Sequence, residues 1–460
     1  MTPPSLIIPI ETKVRELHAK SLLAAHAAVA GMQVVLGDQR VIAEALHRLP
    51  RGTYVDKSIS RTKTAHYHRL KRLGFSIVAW CEEGLTYRDK AKYQFERICP
   101  ASIAPLDAFF AWGGVHKRDI LEITPEAGDR IHVHGNPRFD LLRPGLREIF
   151  RDEADKIVSH YGPYILVNSN FSKFNSFRGR GDFIAVLRAR GILTTQQESD
   201  YYAGFIEHLG SVFTAFTALI PQLTRAFPDY RIIVRPHPSE DHGRWHDELR
   251  GIPNVTVIGE GNVAPWIMGA SAVIHNACTT GIESVLLDRP TIAYVPIVHE
   301  LFNRLTYLPN AVGMIAQTAD EVINAAKHEN SPLSAGARTT PEQERLLARH
   351  VANIRGSLAT EQIVRTIVEL YRENGLPRVN PAARSGAWLY SAARTTAVRF
   401  KRAIRRDRTL TAYMKQKFPG LSLAEIETVL KDIGKVYPAA RTLKVTSHSH
   451  LPHCFVIAAA

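Results

Sequence analysis

The stretch Tyr230-Arg-Ile-Ile-Val-Arg-Pro-His-Pro-Ser-Glu240 decides how the rest of the chain is read. Arg231 to Val234 reads as a short buried strand, entered from turn chemistry at Phe227-Pro228-Asp229. Pro236 and Pro238 restrict the backbone on either side of His237, so that histidine is held stiffly at a strand's carboxyl end. In an open α/β sheet, ligands bind outside the carboxyl ends of the strands. Arg235 as a fork of donors and His237 as a donor or proton source suit a phosphate at such a place. Taken alone, His-Pro is as readily a surface turn.

A second stretch shifts that balance. Ala270-Ser-Ala-Val-Ile-His-Asn-Ala-Cys-Thr-Thr-Gly-Ile-Glu-Ser-Val-Leu-Leu-Asp-Arg-Pro-Thr-Ile-Ala-Tyr294 reads as strand, small-residue loop, helix and strand again. Its turn from Asn276 to Gly281 offers backbone N–H groups and the hydroxyls of Thr279 and Thr280 at a helix N-terminus, an anion site. Two strand ends of this kind point to one nucleotide-phosphate pocket. Asn168-Ser169-Asn170, after the strand Tyr164 to Asn168, is polar and small, suited to ligand contact or to a plain turn.

Outward from these stretches the pattern repeats. Apolar runs at Leu6 to Ile10, Gln33 to Gly37, Phe75 to Trp80 and Ala108 to Trp112 alternate with helical segments, which implies βαβ units and mostly parallel sheets. Tyr202, Phe205, Ile206, Leu209, Phe213, Phe216 and Leu219 form a core stripe in a long helix over Thr195 to Phe227. The turn-rich Gly135 to Pro144 marks a crossing between domains. The expected division is 1–140 and 141–330 as two α/β domains, a helical segment over 331–379 packing back on them, and a basic helical tail over 380–460.

Composition excludes several classes. With 460 residues, 45% hydrophobic and 22% charged, the chain is globular rather than disordered. No apolar run in the sequence reaches the length of a bilayer span, and the start lacks a signal peptide's basic region. Cys81, Cys99, Cys278 and Cys454 lack metal-type spacing, which fits a reducing cytoplasmic compartment. A net charge of +14 implies an anionic partner. Between Ser391 and Arg408 there are seven basic residues and one acid, with Trp388, Tyr390, Val398, Phe400 and Ile404 giving a partial apolar side. That is the profile of an interfacial helix on anionic lipid, at the inner membrane face. A solvated charged helix or an RNA-binding tail has similar composition, and lipid rather than nucleic acid is the expectation.

Trp80-Cys-Glu-Glu-Gly-Leu85 places two carboxylates after a strand. Paired acids raise one another's pKa and suit a general base, while acids at a helix start also simply complement its dipole.

Glu82-Glu83-Gly84, His237-Pro238 and Thr279-Thr280 together resemble signatures of bacterial GT-B glycosyltransferases that use CMP-activated acidic sugars, the sialyl- and Kdo transferases. The run from Asn168 through Arg235 and Glu240 to Glu283 is similar to proteins of bacterial surface carbohydrate (capsule and lipopolysaccharide) biosynthesis. The resemblance implies an α/β, GT-B-like fold, two Rossmann-like domains facing a cleft, here followed by a C-terminal helical basic extension. It implies Glu82 or Glu83 as base and His237 as the group that assists the leaving phosphate. Arg235, Pro238, Ser169, Asn170, Asn276, Thr279, Thr280, Gly281 and Glu283 would line the nucleotide, Glu283 at the ribose. The expected activity is transfer of a sugar from a nucleotide donor, CMP-Kdo favoured, to a glycan or lipid-linked acceptor. No metal or cofactor beyond the donor is expected. The Thr-Thr-Gly-Ile-Glu pattern also occurs in CDP-polyol and UDP-sugar enzymes, so a polyol phosphotransferase of teichoic-acid type and a UDP-hexosamine 2-epimerase are the rival expectations.

Overall fold

The computed structural model describes residues 5–87, 89–177, 182–189, 193–302, 307–329, 339–404 and 408–460. The side chains of 182, 183, 186, 189, 328, 329, 399, 401–404 and 408–412 lie outside the described set, and with them much of the basic run. The chain divides into two compact units. One holds residues up to Leu85, Lys90–Ile149 and Ala348–Ala460; the other holds Thr86–Asp89 and Phe150–Leu347.

The first unit is built on β1 (Ser5–Ile10), β2 (Gln33–Asp38), β3 (Gly52–Asp56), β4 (Ser76–Trp80), β5 (Ala108–Ala111) and β6 (Ile131–Val133). All six are parallel, in the order β2-β1-β3-β4-β5-β6. Every residue of β1 is buried, as a parallel strand covered on both faces must be, and this explains its unbroken apolar run. The helix Lys13–Val29 follows it. Glu16, in its first turn, ties the chain leading into that helix by accepting from the N–H groups of Glu11 and Thr12, each at 3.0 Å, and pairs with Lys20 at 2.7 Å.

The second unit has a six-stranded sheet of β7 (Tyr164–Asn168), β8 (Arg231–Arg235), β9 (Val255–Val257), β10 (Ala272–His275), β11 (Thr291–Tyr294) and β12 (Met314–Ala316). All pairings are parallel, and the order is β12-β11-β10-β7-β8-β9. A capping box between Thr195 and Glu198 starts the helix Gln196–Ala226. By length and hydropathy that helix would pass for a membrane span, contrary to the expectation that none is present, but it is the core helix of this unit. Phe205, Leu209, Phe213, Phe216 and Leu219 pack with Ile165, Val167, Ile232 and Val234 of the sheet. Two doubly wound α/β units are what the strand-helix alternation implied.

The chain then returns to the first unit. Two late strands, β13 (Leu443–Ser447) and β14 (Cys454–Ala459), extend its sheet past β2, with β14 antiparallel to β2 and β13 antiparallel to β14. The segment 380–460 is therefore part of the first unit rather than a separate tail. The helical segment expected over 331–379 is also broken. It divides into helices Pro341–His350 and Ala359–Asn374, with Asn353 (φ 58°) and Gly356 (φ 77°) in left-handed conformation between them. Asp140, 1% exposed, anchors the second of these by accepting from Ala359 N at 2.9 Å and from Thr360 N and Oγ1, both at 2.7 Å.

Candidate functional site

In the second unit the strand order reverses at β7. β8 and β9 lie on one side of it, β10 to β12 on the other, so the crevice expected of a doubly wound sheet opens at the carboxyl ends of β7 and β10. Register brings three polar residues into one line there: His275 pairs with Asn168, and Asn168 with Arg235. Ile274, Val167 and Val234, one residue earlier in each strand, belong to the core on one face of the sheet. Strand alternation therefore sends His275, Asn168 and Arg235 to the other.

All three are buried, at 0%, 2% and 7% exposed, yet each carries nitrogen atoms with no partner among the described residues: both ring nitrogens of His275, Nδ2 of Asn168 and Nη1 of Arg235. Thr280 Oγ1 adds a fourth unpaired buried group from the helix Thr279–Leu286. Buried polar groups are nearly always hydrogen-bonded, so four together at a ligand-binding position form a coherent demand for a polar partner. Burial lowers His275 to about 4, keeping the ring neutral, one nitrogen a donor and the other an acceptor. Gly281 lies directly against it; a Cβ there would come within 2.4 Å of His275 Nε2. Arg235 stacks its guanidinium on Trp266 at 4.9 Å and donates to the Gly261 carbonyl at 3.1 Å. Desolvation lowers this guanidinium to about 10, still a cation near neutral pH.

Around this row the loops are tied to one another. Asn276 Oδ1 accepts from Asn170 N at 2.7 Å, linking the tips of β10 and β7, and Ala277 takes a left-handed φ of 50°, uncommon for a residue with a side chain. Glu240, wholly buried, does the same between β7 and β8. Its Oε1 accepts from Ser169 Oγ at 2.8 Å, Phe171 N at 2.9 Å and His237 N at 3.2 Å, while Oε2 accepts from Trp245 Nε1 at 2.9 Å. Desolvation raises the Glu240 pKa, and these donors oppose the rise. His237 is half-buried, and its Nδ1 accepts from Ser239 N at 3.2 Å. In the neutral ring the proton therefore sits on Nε2, the ring's donor. Thr279 Oγ1 lies 3.3 Å from Thr86 Oγ1 of the same unit, Pro238 is half-buried, and Glu283 is 2% exposed within its helix, which leaves it little surface for a ribose.

In the first unit the paired acids separate. Glu83 forms an ion pair with Arg97 and is the more exposed of the two. Glu82 accepts from Trp80 Nε1 at 2.7 Å and lines a hollow between the helix Lys13–Val29, the end of β4 and the Asn136–Arg138 turn. Arg15, Lys20, Trp80, Asn136 and Arg138 line the same hollow. Asn136 is 3% exposed; its Oδ1 accepts from Arg138 N at 3.0 Å, and its Nδ2 has no partner among the described residues. Gly84 has a structural reason: a Cβ would come within 2.4 Å of the His116 ring, itself held by Tyr93 OH at 2.7 Å. Among the described residues no three His, Cys, Asp or Glu side chains lie together as a metal site.

The structure thus gathers Ser169, Asn170, Arg235, His237, Asn276, Thr280 and Gly281 around three neighbouring strand tips. His275, Glu240 and Asn136 join the candidate residues on structural grounds alone, and Asn168, already within the polar Asn168–Asn170 stretch, is placed beside His275 and Arg235 by strand register. The one sequence signal for His275 is a polar residue closing an apolar strand, beside small residues.

No protein-family model matches the sequence, and no curated protein does. Among solved structures, UDP-GlcNAc 2-epimerase from Neisseria meningitidis bound to UDP-GlcNAc is 11% identical, covering 80% of this chain and 100% of its own, with a TM-score of 0.46. A UDP-N-acetylglucosamine 2-epimerase from Listeria monocytogenes gives 11%, 83%, 100% and 0.49. A wall teichoic acid polymerase soaked with CDPG gives 12%, 80%, 89% and 0.47. None of the three is described as a CMP-sugar enzyme. Likeness at this level assigns no activity.

Proposed function

We propose that the protein is a glycosyltransferase of surface polysaccharide assembly, moving a sugar from a nucleotide donor to a hydroxyl of a glycan or lipid-linked acceptor. A CMP-activated acidic sugar such as Kdo is the favoured donor. The supporting observation is the row of buried, unpaired polar groups on His275, Asn168, Arg235 and Thr280 at the sheet's reversal point. A nucleotide phosphate supplies the acceptors those donors lack, and the N-terminus of the helix Thr279–Leu286 favours its charge.

In the proposed reaction the acceptor oxygen forms a bond to the donor's anomeric carbon as the bond from that carbon to the phosphate oxygen breaks. The acceptor's proton passes to the Glu82 carboxylate. The electron pair of the broken bond stays on the departing phosphate, where Arg235 and the Nε2–H of His237 offset the growing charge. Glu82 is assigned as base over Glu83 because Arg97 holds Glu83, whereas Glu82 shares its hollow with the unpaired amide of Asn136.

Incubating the purified protein separately with CMP-Kdo, CDP-glycerol and UDP-GlcNAc, and measuring nucleotide release, tests this. CMP release that rises with added lipid-linked glycan is the expected result. Turnover of CDP-glycerol alone reassigns the protein to polyol phosphate transfer, and epimerised UDP-GlcNAc without an acceptor reassigns it to the 2-epimerases. Turnover of none of the three refutes the proposal.

A further inference from the structure

The helix Pro381–Ile404 has one face packed and one face open. Ala387, Ser391 and Thr395, four residues apart, are buried against the helices Gln39–Glu44 and Thr64–Leu73 of the first unit. Thr395 Oγ1 donates to the Glu44 carbonyl, and Trp388 Nε1 to the His47 carbonyl at 3.0 Å, which fixes the helix's rotation. Helical spacing puts Ala382, Gly386, Leu389, Ala393, Ala397 and Phe400 on the opposite side, and all six are exposed. Leu389 is 63% and Phe400 67% exposed, with Tyr390 at 58% on the flank, while Trp388, 47% exposed, sits toward the packed side against His47. The helix carries Arg384, Arg394, Arg399, Lys401 and Arg402 and no acidic residue.

We propose that this outward face docks on an anionic bilayer surface, lying in its plane. An apolar stripe presented to solvent on a fixed helix marks an interaction surface. Tyr390 at the stripe's edge and an all-basic set of charges on the helix are what a headgroup layer accommodates, with the aromatic ring at headgroup level. A second copy fits less well, because a helix with five basic residues and no acid offers its own copy no opposite charge. Nucleic acid satisfies the charges but leaves the apolar centre of the stripe uncovered.

Flotation of the full-length protein with vesicles tests this, using phosphatidylcholine alone and phosphatidylcholine mixed with phosphatidylglycerol. Binding to the mixed vesicles, weakened by salt and far below that level on the neutral ones, is expected. The double substitution Leu389→Gln, Phe400→Gln is expected to lower the partition coefficient by about tenfold or more, and Arg394→Gln by about fivefold. These positions are exposed, so the thermal melt should be unchanged. Trp80, Trp112, Trp245 and Trp266 are buried, so a blue shift of emission on vesicle binding should vanish in Trp388→Phe. Equal binding to both vesicle types, or mixed-vesicle binding that survives the double substitution, overturns the proposal. So does a dimer, or an RNA complex, that depends on Leu389 and Phe400 in a protein that binds no vesicles.

Discussion

Removing the Glu240 carboxylate is the sharpest perturbation of the site's framework. In Glu240→Ala four donors lose their acceptor: Ser169 Oγ, Phe171 N, His237 N and Trp245 Nε1. Phe171 and Trp245 are both 0% exposed, so their N–H groups cannot turn to solvent. Each buried donor left unpaired costs about 1–3 kcal/mol, and Ser169 costs less because its hydroxyl can rotate, His237 because it is only half-buried. Relief from burying the carboxylate offsets part of this, leaving a net loss on the order of 4 kcal/mol. Glu240→Gln separates the roles. Its amide oxygen keeps the three donors at Oε1, while its NH2 opposes Trp245 Nε1–H, for a loss of about 1–2 kcal/mol. Urea unfolding, paired with nucleotide binding, is the assay. The Ala variant should lose both stability and nucleotide affinity, whereas the Gln variant should keep most of its affinity. An Ala variant within about 1 kcal/mol of the parent, or one that binds nucleotide as the parent does, would refute the idea that Glu240 holds these loops.

Other perturbations have equally definite signs. Gly281→Ala gains roughly 1 kcal/mol in helix propensity but forces a methyl to within 2.4 Å of the buried His275 ring, an overpacking cost of about 1–3 kcal/mol. A net destabilisation is expected by thermal melt, relieved when His275→Ala is added. Glu82→Gln should lower kcat by about a hundredfold or more with little change in KM, as loss of a general base does, while Glu83→Gln should leave kcat within about threefold because that carboxylate is engaged with Arg97. Burial lowers His116 from 6.5 to about 3, so the folded protein declines a proton that the unfolded chain takes up. Stability is present above pH 6.5 and lost as the pH falls, and His116→Gln should flatten a pH series of unfolding free energies below that value by up to ~1.4 kcal/mol per unit. Asp140 has the reverse sign. Burial raises it from 3.8 to about 6, so its contribution declines as pH rises across that window, and Asp140→Asn should remove that decline from the same series.

Much of the fold was legible because parallel strands buried on both faces must be apolar runs, and the alternation with helices is local. The strands β13 and β14 were not, since β14 gains its place by pairing with β2, more than four hundred residues earlier along the chain. The break between Pro341–His350 and Ala359–Asn374 depends on left-handed backbone at Asn353, a conformation the residue tolerates but does not announce. At the site, the prolines around His237 made its stiffness readable. Glu240 was not, because Ser-Glu after His-Pro reads as an exposed turn until Trp245 and Ser169 enclose it. His275 and Asn168 end apolar strands, and only the register of three strands shows that they align with Arg235.

Whether the tips of β7, β8 and β10 hold a nucleotide phosphate is measured most directly by calorimetry. CMP, CDP and UDP are titrated into the full-length protein, beside His237→Ala and Thr280→Val variants. Saturable binding of at least one nucleotide, weakened by about tenfold in each variant, is the expected result. Binding of none, or an affinity indifferent to both substitutions, contradicts it.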